Sequence, residues 1–152
     1  MTEPVVRIAG PADAPALAAL RRAWTEEDSG PAADAGFEAR FLDWYEQESA
    51  RRVCWVAEVA GEPAGMMNLA VFERMPRPGR ETGTWGYLGN AFVLAGYRSR
   101  GIGSLMLRAL LGHADERGFV RVVLSPSARS VPFYQRHGFG ADSGLLVRRR
   151  PG

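Results

Sequence analysis

Lysine is missing from this chain: all 19 of its basic residues are arginine. A P-loop ends in Gly-Lys-Ser/Thr, so that phosphate-binding motif is excluded. For the same reason no lysine side chain is on offer for acylation. Cysteine occurs once, at Cys54, which rules out an internal disulfide and makes a reducing, cytoplasmic setting the default expectation. The two histidines and the lone cysteine stand at no metal-ligand spacing, so no metal is expected. Apolar runs fall far short of the roughly 20 residues that cross a bilayer, and the N-terminus lacks the charged-then-apolar pattern of a signal peptide, so no membrane partner is expected. A net charge of +2 is too small to argue for nucleic acid. Repeats, low-complexity tracts and inter-domain linkers are absent too. What remains is 152 residues, 46% hydrophobic and 24% charged, the composition of one globular domain over residues 1–152.

Periodicity divides the chain into ten elements. Val5–Ala9 alternates as a first strand and ends at Gly10-Pro11. Asp13 is placed to cap a helix that carries Leu17, Leu20, Arg21 and Trp24, with Pro15 early in it and Ser29-Gly30-Pro31 as its breaker. Phe37, Phe41, Trp44 or Tyr45, and Glu48 mark a second helix. Arg52–Ala60 reads as a strand, Gly61-Glu62 as a hairpin turn, and Pro63–Glu73 as the antiparallel partner. A Pro- and Gly-bearing loop follows over Met75–Gly83, then a strand over Gly86–Leu94. After the next helix, Phe119–Ser125 is a short strand that closes a βαβ unit. Ser130–His137 is a short helix stopped by Gly138, and Leu145–Val147 a last strand before a solvated Arg148–Arg150 tail. The order β-α-α-β-β-β-α-β-α-β predicts an α/β (α+β) fold with a mixed sheet of about six strands.

The chemistry concentrates where strand 86–94 meets the next helix, at Arg98-Ser99-Arg100-Gly101-Ile102-Gly103-Ser104. Ile102, Leu105, Met106, Ala109, Leu110 and His113 recur at three- and four-residue spacing and mark the helix. Its first-turn N–H groups have no intrahelical partner, and the helix dipole favours negative charge there. Gly101 and Gly103 lack a Cβ, so a phosphate can approach closely, while Arg98 and Arg100 add forked donors. The physical reading is a diphosphate cradle; the alternative is an αβ turn with solvated arginines. A dinucleotide fingerprint would need a third glycine where Met106 stands. Arg98-x-x-Gly101-x-Gly103 between strand and helix resembles motif A of the GNAT superfamily of N-acetyltransferases. Ser127-x-x-Ser130-x-x-Phe133-Tyr134, followed by Gly138-Phe139, is similar to that family's motif B, with serines in place of Asn and Ala. The likeness is strong over residues 84–139 and looser over 4–73. Little chain follows Phe139, so one of the usual terminal strands is expected to be short or missing.

The resemblance implies a mainly antiparallel GNAT sheet flanked by helices, with acetyl-CoA (coenzyme A) as cosubstrate. It implies that Arg98, Ser99, Arg100, Gly101, Ile102, Gly103 and Ser104 hold the pyrophosphate. Phe92, Val93 and Leu94 would pair with the pantetheine as a further strand does, one N–H of that segment polarising the thioester carbonyl. Ser127 would bond a pantetheine amide, or else simply cap the next helix. Tyr134 would protonate the leaving thiolate, a task for a phenol with pKa of about 10; the alternative is a core aromatic. Many relatives carry a basic Glu at the position that is Tyr87 here. Glu73 or Glu81 acting through water, a water wire, or an acceptor of low pKa are the options left for deprotonating the amine. Trp24, Phe37, Phe41, Trp44 and Tyr45 lie where relatives build the acceptor wall, although such residues are more often core. Cys54 sits on another strand, not at the cradle, and is not read as a nucleophile. The implied function is acetyl transfer from acetyl-CoA to a primary amine, small molecule or peptide, by direct attack in a ternary complex. A homodimer is compatible with this. The alternatives are a catalytically silent acyl-CoA-binding module and a protein N-terminal or lysine acetyltransferase.

Overall fold

The computed structural model describes residues 2–141 and 144–151. Along the chain run β1 (Val5–Ile8), α1 (Ala14–Ser29), α2 (Phe37–Glu48), β2 (Arg52–Val59), β3 (Glu62–Glu73), β4 (Thr84–Val93), α3 (Ile102–Glu116), β5 (Val122–Val123) and α4 (Val131–Gln135). The strands form one sheet in the order β1-β2-β3-β4-β5, antiparallel throughout except for the parallel β4–β5 pair. The β2–β3 hairpin turns on Ala60 and Gly61, both at positive φ (52° and 80°), as a two-residue type I′ loop requires. That is one residue earlier than the sequence suggested.

Side chains alternate across the pleat and sort the core into two layers. On one face Trp55, Met67, Leu69 and Leu88 pack against Ile102, Met106, Leu107 and Leu110 of α3. On the other, Val56, Met66 and Phe92 meet Leu17 and Leu20 of α1. Gly86 allows the tightest approach on the first face. A Cβ there would sit 2.5 Å from Leu69 Cδ1 and 3.1 Å from Phe119 Cε2.

Two expectations are corrected. Asp13 does not cap α1 with its side chain. Its carboxylate turns back to accept hydrogen bonds from Arg7 at 2.8 Å and from the Gly10 N–H at 2.7 Å, and these two donors hold its pKa down to about 2. The strand expected at Leu145–Val147 does not form: residues 144–151 are irregular, and the sheet has five strands among the described residues, not six. The physical reason is length. β5 offers a two-residue edge, and three apolar residues make too few ladder bonds to offset the entropy of ordering them. Among the described residues no helix is long and apolar enough to cross a membrane, and no group of three or more His, Cys, Asp and Glu could hold a metal.

Candidate functional site

A register shift in β4 organises the site. Asn68 faces Gly89 while Met66 faces Phe92, so two residues of β4, Asn90 and Ala91, oppose one of β3. Asn90 adopts φ +53°, a left-handed conformation that Asn tolerates better than most residues. Such a bulge flips every side chain beyond it to the other face. Leu88 accordingly packs with the α3 layer, whereas Phe92, four residues on, joins the α1 layer. There its ring stacks on Trp24, with centroids 5.6 Å apart and planes within 9°.

The opposite edge of β4 opens. β5 pairs with it at Gly86 and Tyr87, and the Tyr87 hydroxyl donates to Ser125 Oγ at 2.9 Å. From Leu88 onward no strand lies beside that edge among the described residues. The Leu94 N–H donates to Ala64 O at 2.8 Å, on the β3 side. Backbone groups of an antiparallel strand alternate in direction, so those of Val93 face the open edge. The Val93 carbonyl accepts a bond of 2.9 Å from Arg98 Nε, and its N–H points to the same edge, where no strand pairs with it among the described residues.

Where β4 ends, a short 3₁₀ turn over Ala95–Tyr97 leads into α3. Gly101 is the N-cap at φ +79°, a conformation in which any Cβ would be strained. No side chain caps this helix, and Leu105 is the first residue whose N–H finds a helical acceptor, Gly101 O at 3.0 Å. The amides of Ile102, Gly103 and Ser104 are therefore unpaired among the described residues, at the positive end of a 15-residue helix with no acidic residue in its first turn. They open into a cavity of about 460 Å³ bounded also by Val93, Arg98, Ser99, Phe133 and Arg136. Arg98 is held in place: Nη2 bonds both oxygens of Glu27 on α1, at 2.8 and 2.7 Å. Below, α4 turns Tyr134 into the core beside Phe133 and Phe139, ring centroids 5.0 and 5.7 Å away. Burial raises its phenol pKa, so it stays protonated at neutral pH.

Across β4 lies a second cavity of about 340 Å³. Phe37, Phe41 and Trp44 of α2 form one wall, Leu17 and Arg21 of α1 another, and Cys54, Met66, Met67, Asn68 and Asn90 the sheet floor. Asn68 is buried and accepts from Arg52 Nη1 at 3.0 Å. Burial pushes the Cys54 thiol up to about 11, so it is a neutral thiol and no nucleophile. No carboxylate and no histidine lines either cavity among the described residues.

A sequence model of the Acetyltransferase (GNAT) family matches residues 17–139. This chain belongs to that family. Glucosamine 6-phosphate N-acetyltransferase of Trypanosoma brucei brucei is 30% identical over 81 residues, a match covering 53% of this chain and 53% of that protein. The chain thus spans about half the length of that curated relative. A GCN5-related N-acetyltransferase from Ralstonia eutropha JMP134 superposes with TM-score 0.73 at 25% identity, over 97% of this chain and 99% of that one. A predicted acetyltransferase from Clostridium acetobutylicum, solved with acetyl-CoA, gives TM-score 0.77 at 23% identity, over 97% and 96%. At such identity the second likeness speaks for the fold.

The GNAT frame places the expected residues unevenly. Arg98, Ser99, Gly101, Ile102, Gly103, Ser104 and Val93 line the cradle together. Arg100 does not; its guanidinium lies over the Tyr97 ring at 5.6 Å. Phe92 turns its ring to the acceptor side, and the Leu94 N–H is already engaged by β3. Ser127 accepts a bond from the Ser130 N–H at 3.3 Å and meets its hydroxyl at 3.0 Å, a local turn before α4, whose N-cap is Ser130. Of the expected wall aromatics, Phe37, Phe41 and Trp44 line the second cavity. Trp24 stacks on Phe92 instead, and the Tyr45 hydroxyl donates to Gly10 O at 3.2 Å. Sequence reasoning missed Arg136, which arrives at the cradle from α4. It also missed the bulge, although Gly89-Asn90 inside a strand is a signal for one.

Proposed function

We propose that this GNAT chain moves the acetyl group of acetyl-CoA to a primary amine by direct attack in a ternary complex. The observation that carries the reading is the juxtaposition on one strand of an uncapped α3 N-terminus, an open β4 edge, and an acceptor cavity on the other side of the bulge. The pyrophosphate takes the free amides of Ile102, Gly103 and Ser104, with Ser99, Arg98 and Arg136 supplying donors and charge; Arg100, over Tyr97, adds charge from outside the cavity. The pantetheine lies along the unpaired edge of β4 and bonds Val93 as a further strand would; Phe92 and Leu94 shape that segment. Ser127 fixes the start of α4, and through it Tyr134.

Acetyl transfer then needs three things of these residues. The acceptor must reach the thioester past Asn90, which the bulge turns into the cavity. Holding both reactants in line supplies much of the acceleration, on the order of several kcal/mol. As the C–N bond forms and the C–S bond breaks, Tyr134 protonates the departing thiolate and is reprotonated from solvent. The nitrogen sheds its proton to water, because neither Glu73 nor Glu81 lines a cavity. That same lack of a base is the observation that favours the second reading, a catalytically silent acyl-CoA-binding module.

Thiol release from acetyl-CoA across a panel of amines, beside a thermal-shift titration with coenzyme A, decides between them. Acetyl transfer with a thermal shift is expected. A shift without turnover on any amine would establish the silent module, and no shift at all would remove the cradle.

A further inference from the structure

We infer that the acceptor is an anionic amine: a small primary amine with an apolar or aromatic body and one acidic group, anchored by Arg21. This rests on the acetyltransferase reading and narrows its acceptor. The charges in the acceptor cavity are one-sided. Arg21 and Arg40 line it, and no Asp or Glu does, among the described residues. Arg40 is committed to Asp34, which it grips through both terminal nitrogens. Arg21 makes no ion pair among the described residues. Its guanidinium carbon lies 4.3 Å over the Trp24 ring, and Nη1 donates to Thr25 Oγ1 at 2.9 Å. A guanidinium has five N–H donors, so most of its fork is left for a ligand. Stacking on the ring and one hydrogen bond fix its orientation beforehand.

The setting amplifies that charge. Leu17, Phe37, Phe41, Trp44 and Met66 are apolar neighbours in the same wall and floor, and a cation beside such surface attracts an anion more strongly than one in open water. An acceptor carrying several positive charges would meet repulsion with no carboxylate to offset it, which is discrimination as effective as a good contact. A volume of about 340 Å³ lies at the small end for ligand sites and suits one ring or branched chain. Position constrains the spacer as well. The guanidinium carbon is 4.3 Å from the Trp24 centroid, and that centroid is 5.6 Å from the Phe92 ring, so Arg21 lies within 9.9 Å of that β4 ring. One small acceptor that bonds Arg21 and presents its nitrogen at β4 therefore needs only a short spacer.

The test uses the intact protein and matched acceptors: phenylalanine, phenylalaninamide and phenethylamine for a carboxylate, O-phosphoethanolamine and ethanolamine for a phosphate. Two readouts run in parallel, kcat/KM for acetyl transfer and calorimetric binding to the protein saturated with coenzyme A. At least one acid should exceed its uncharged counterpart by roughly 10- to 100-fold in both, and the arm that does so identifies the acid. Arg21→Met should erase that ratio and Arg21→Lys retain part of it, with melting temperatures reporting that both variants are folded. Equal values for acids and neutral amines would overturn the inference, as would a preference that survives Arg21→Met. Absence of transfer to every amine would refute the acetyltransferase reading instead, and the binding ratios would still decide whether the cavity prefers an anion.

Discussion

Arg98→Ala separates a cation that grips phosphate from one that merely braces the fold. The side chain makes three attachments: to Val93 O at 2.9 Å, to both Glu27 oxygens at 2.8 and 2.7 Å, and over the Phe92 ring at 5.6 Å. Arg98 is 45% and Glu27 35% exposed, so the ion pair is solvent-screened and its loss should cost stability only about 0.5–1 kcal/mol. A charge-assisted bond to the pyrophosphate is worth about 1.5–3 kcal/mol, less what is lost when Arg98 turns away from Glu27. The net loss in acetyl-CoA affinity should be about 1–2 kcal/mol, or roughly 5- to 30-fold in Kd. Glu27→Gln supplies the contrast, because it frees Arg98 and should leave affinity unchanged or raise it by up to about 5-fold. Calorimetric titration with acetyl-CoA at low and high salt measures both, and the Arg98→Ala deficit should shrink as salt rises. If Arg98→Ala binds as tightly as the parent at low salt, the guanidinium plays no part in the cradle. If Glu27→Gln weakens binding as much as Arg98→Ala does, the intact ion pair shapes the site and the free cation does not.

Three further outcomes are expected. Tyr134→Phe should lower kcat by about 10²-fold while Kd for coenzyme A changes little; equal losses in both would count against proton donation. With no carboxylate or histidine at either cavity among the described residues, kcat/KM should rise about tenfold per pH unit and level off at the acceptor's own pKa, because only the neutral amine attacks. Tyr134, its pKa raised by burial, should add no falling limb through the neutral range, and an inflection that stays fixed when the acceptor is changed would reveal a protein base. Gly86→Ala should destabilise the fold by about 1–3 kcal/mol in denaturant unfolding, since the new methyl would overlap Leu69 and press on Phe119; an unchanged midpoint would mean that this packing yields freely.

Much of the scaffold was legible because its signals are local. The apolar spacing from Ile102 to His113 marked α3, and the two glycines at 101 and 103 marked the turn before it. The expected Leu145–Val147 strand failed because strand formation depends on a neighbouring edge, which no window of sequence reports. Asp13 misled for a different reason: two local donors, the Arg7 guanidinium and the Gly10 N–H, compete with the helix for its carboxylate. Glu27 and Arg98 lie 71 residues apart, and nothing in either segment announces the other. The second cavity was half legible. The aromatics at 37, 41 and 44 were visible as a helical stripe, but which of them faces the sheet, and that Arg21 has no counter-charge among the described residues, emerges only from the fold.

A pleated strand has only two sides, so the single supernumerary residue at Asn90 acts as a parity bit for all that follows it. Identity of the inserted residue matters less than its number: one extra position sends Phe92 towards the α1 layer and Val93 towards the α3 layer. Positions before the inversion and positions after it thus answer to different constraints. Changes on α1 and α2 would then reshape the cavity of about 340 Å³ and leave the uncapped end of α3 as it was.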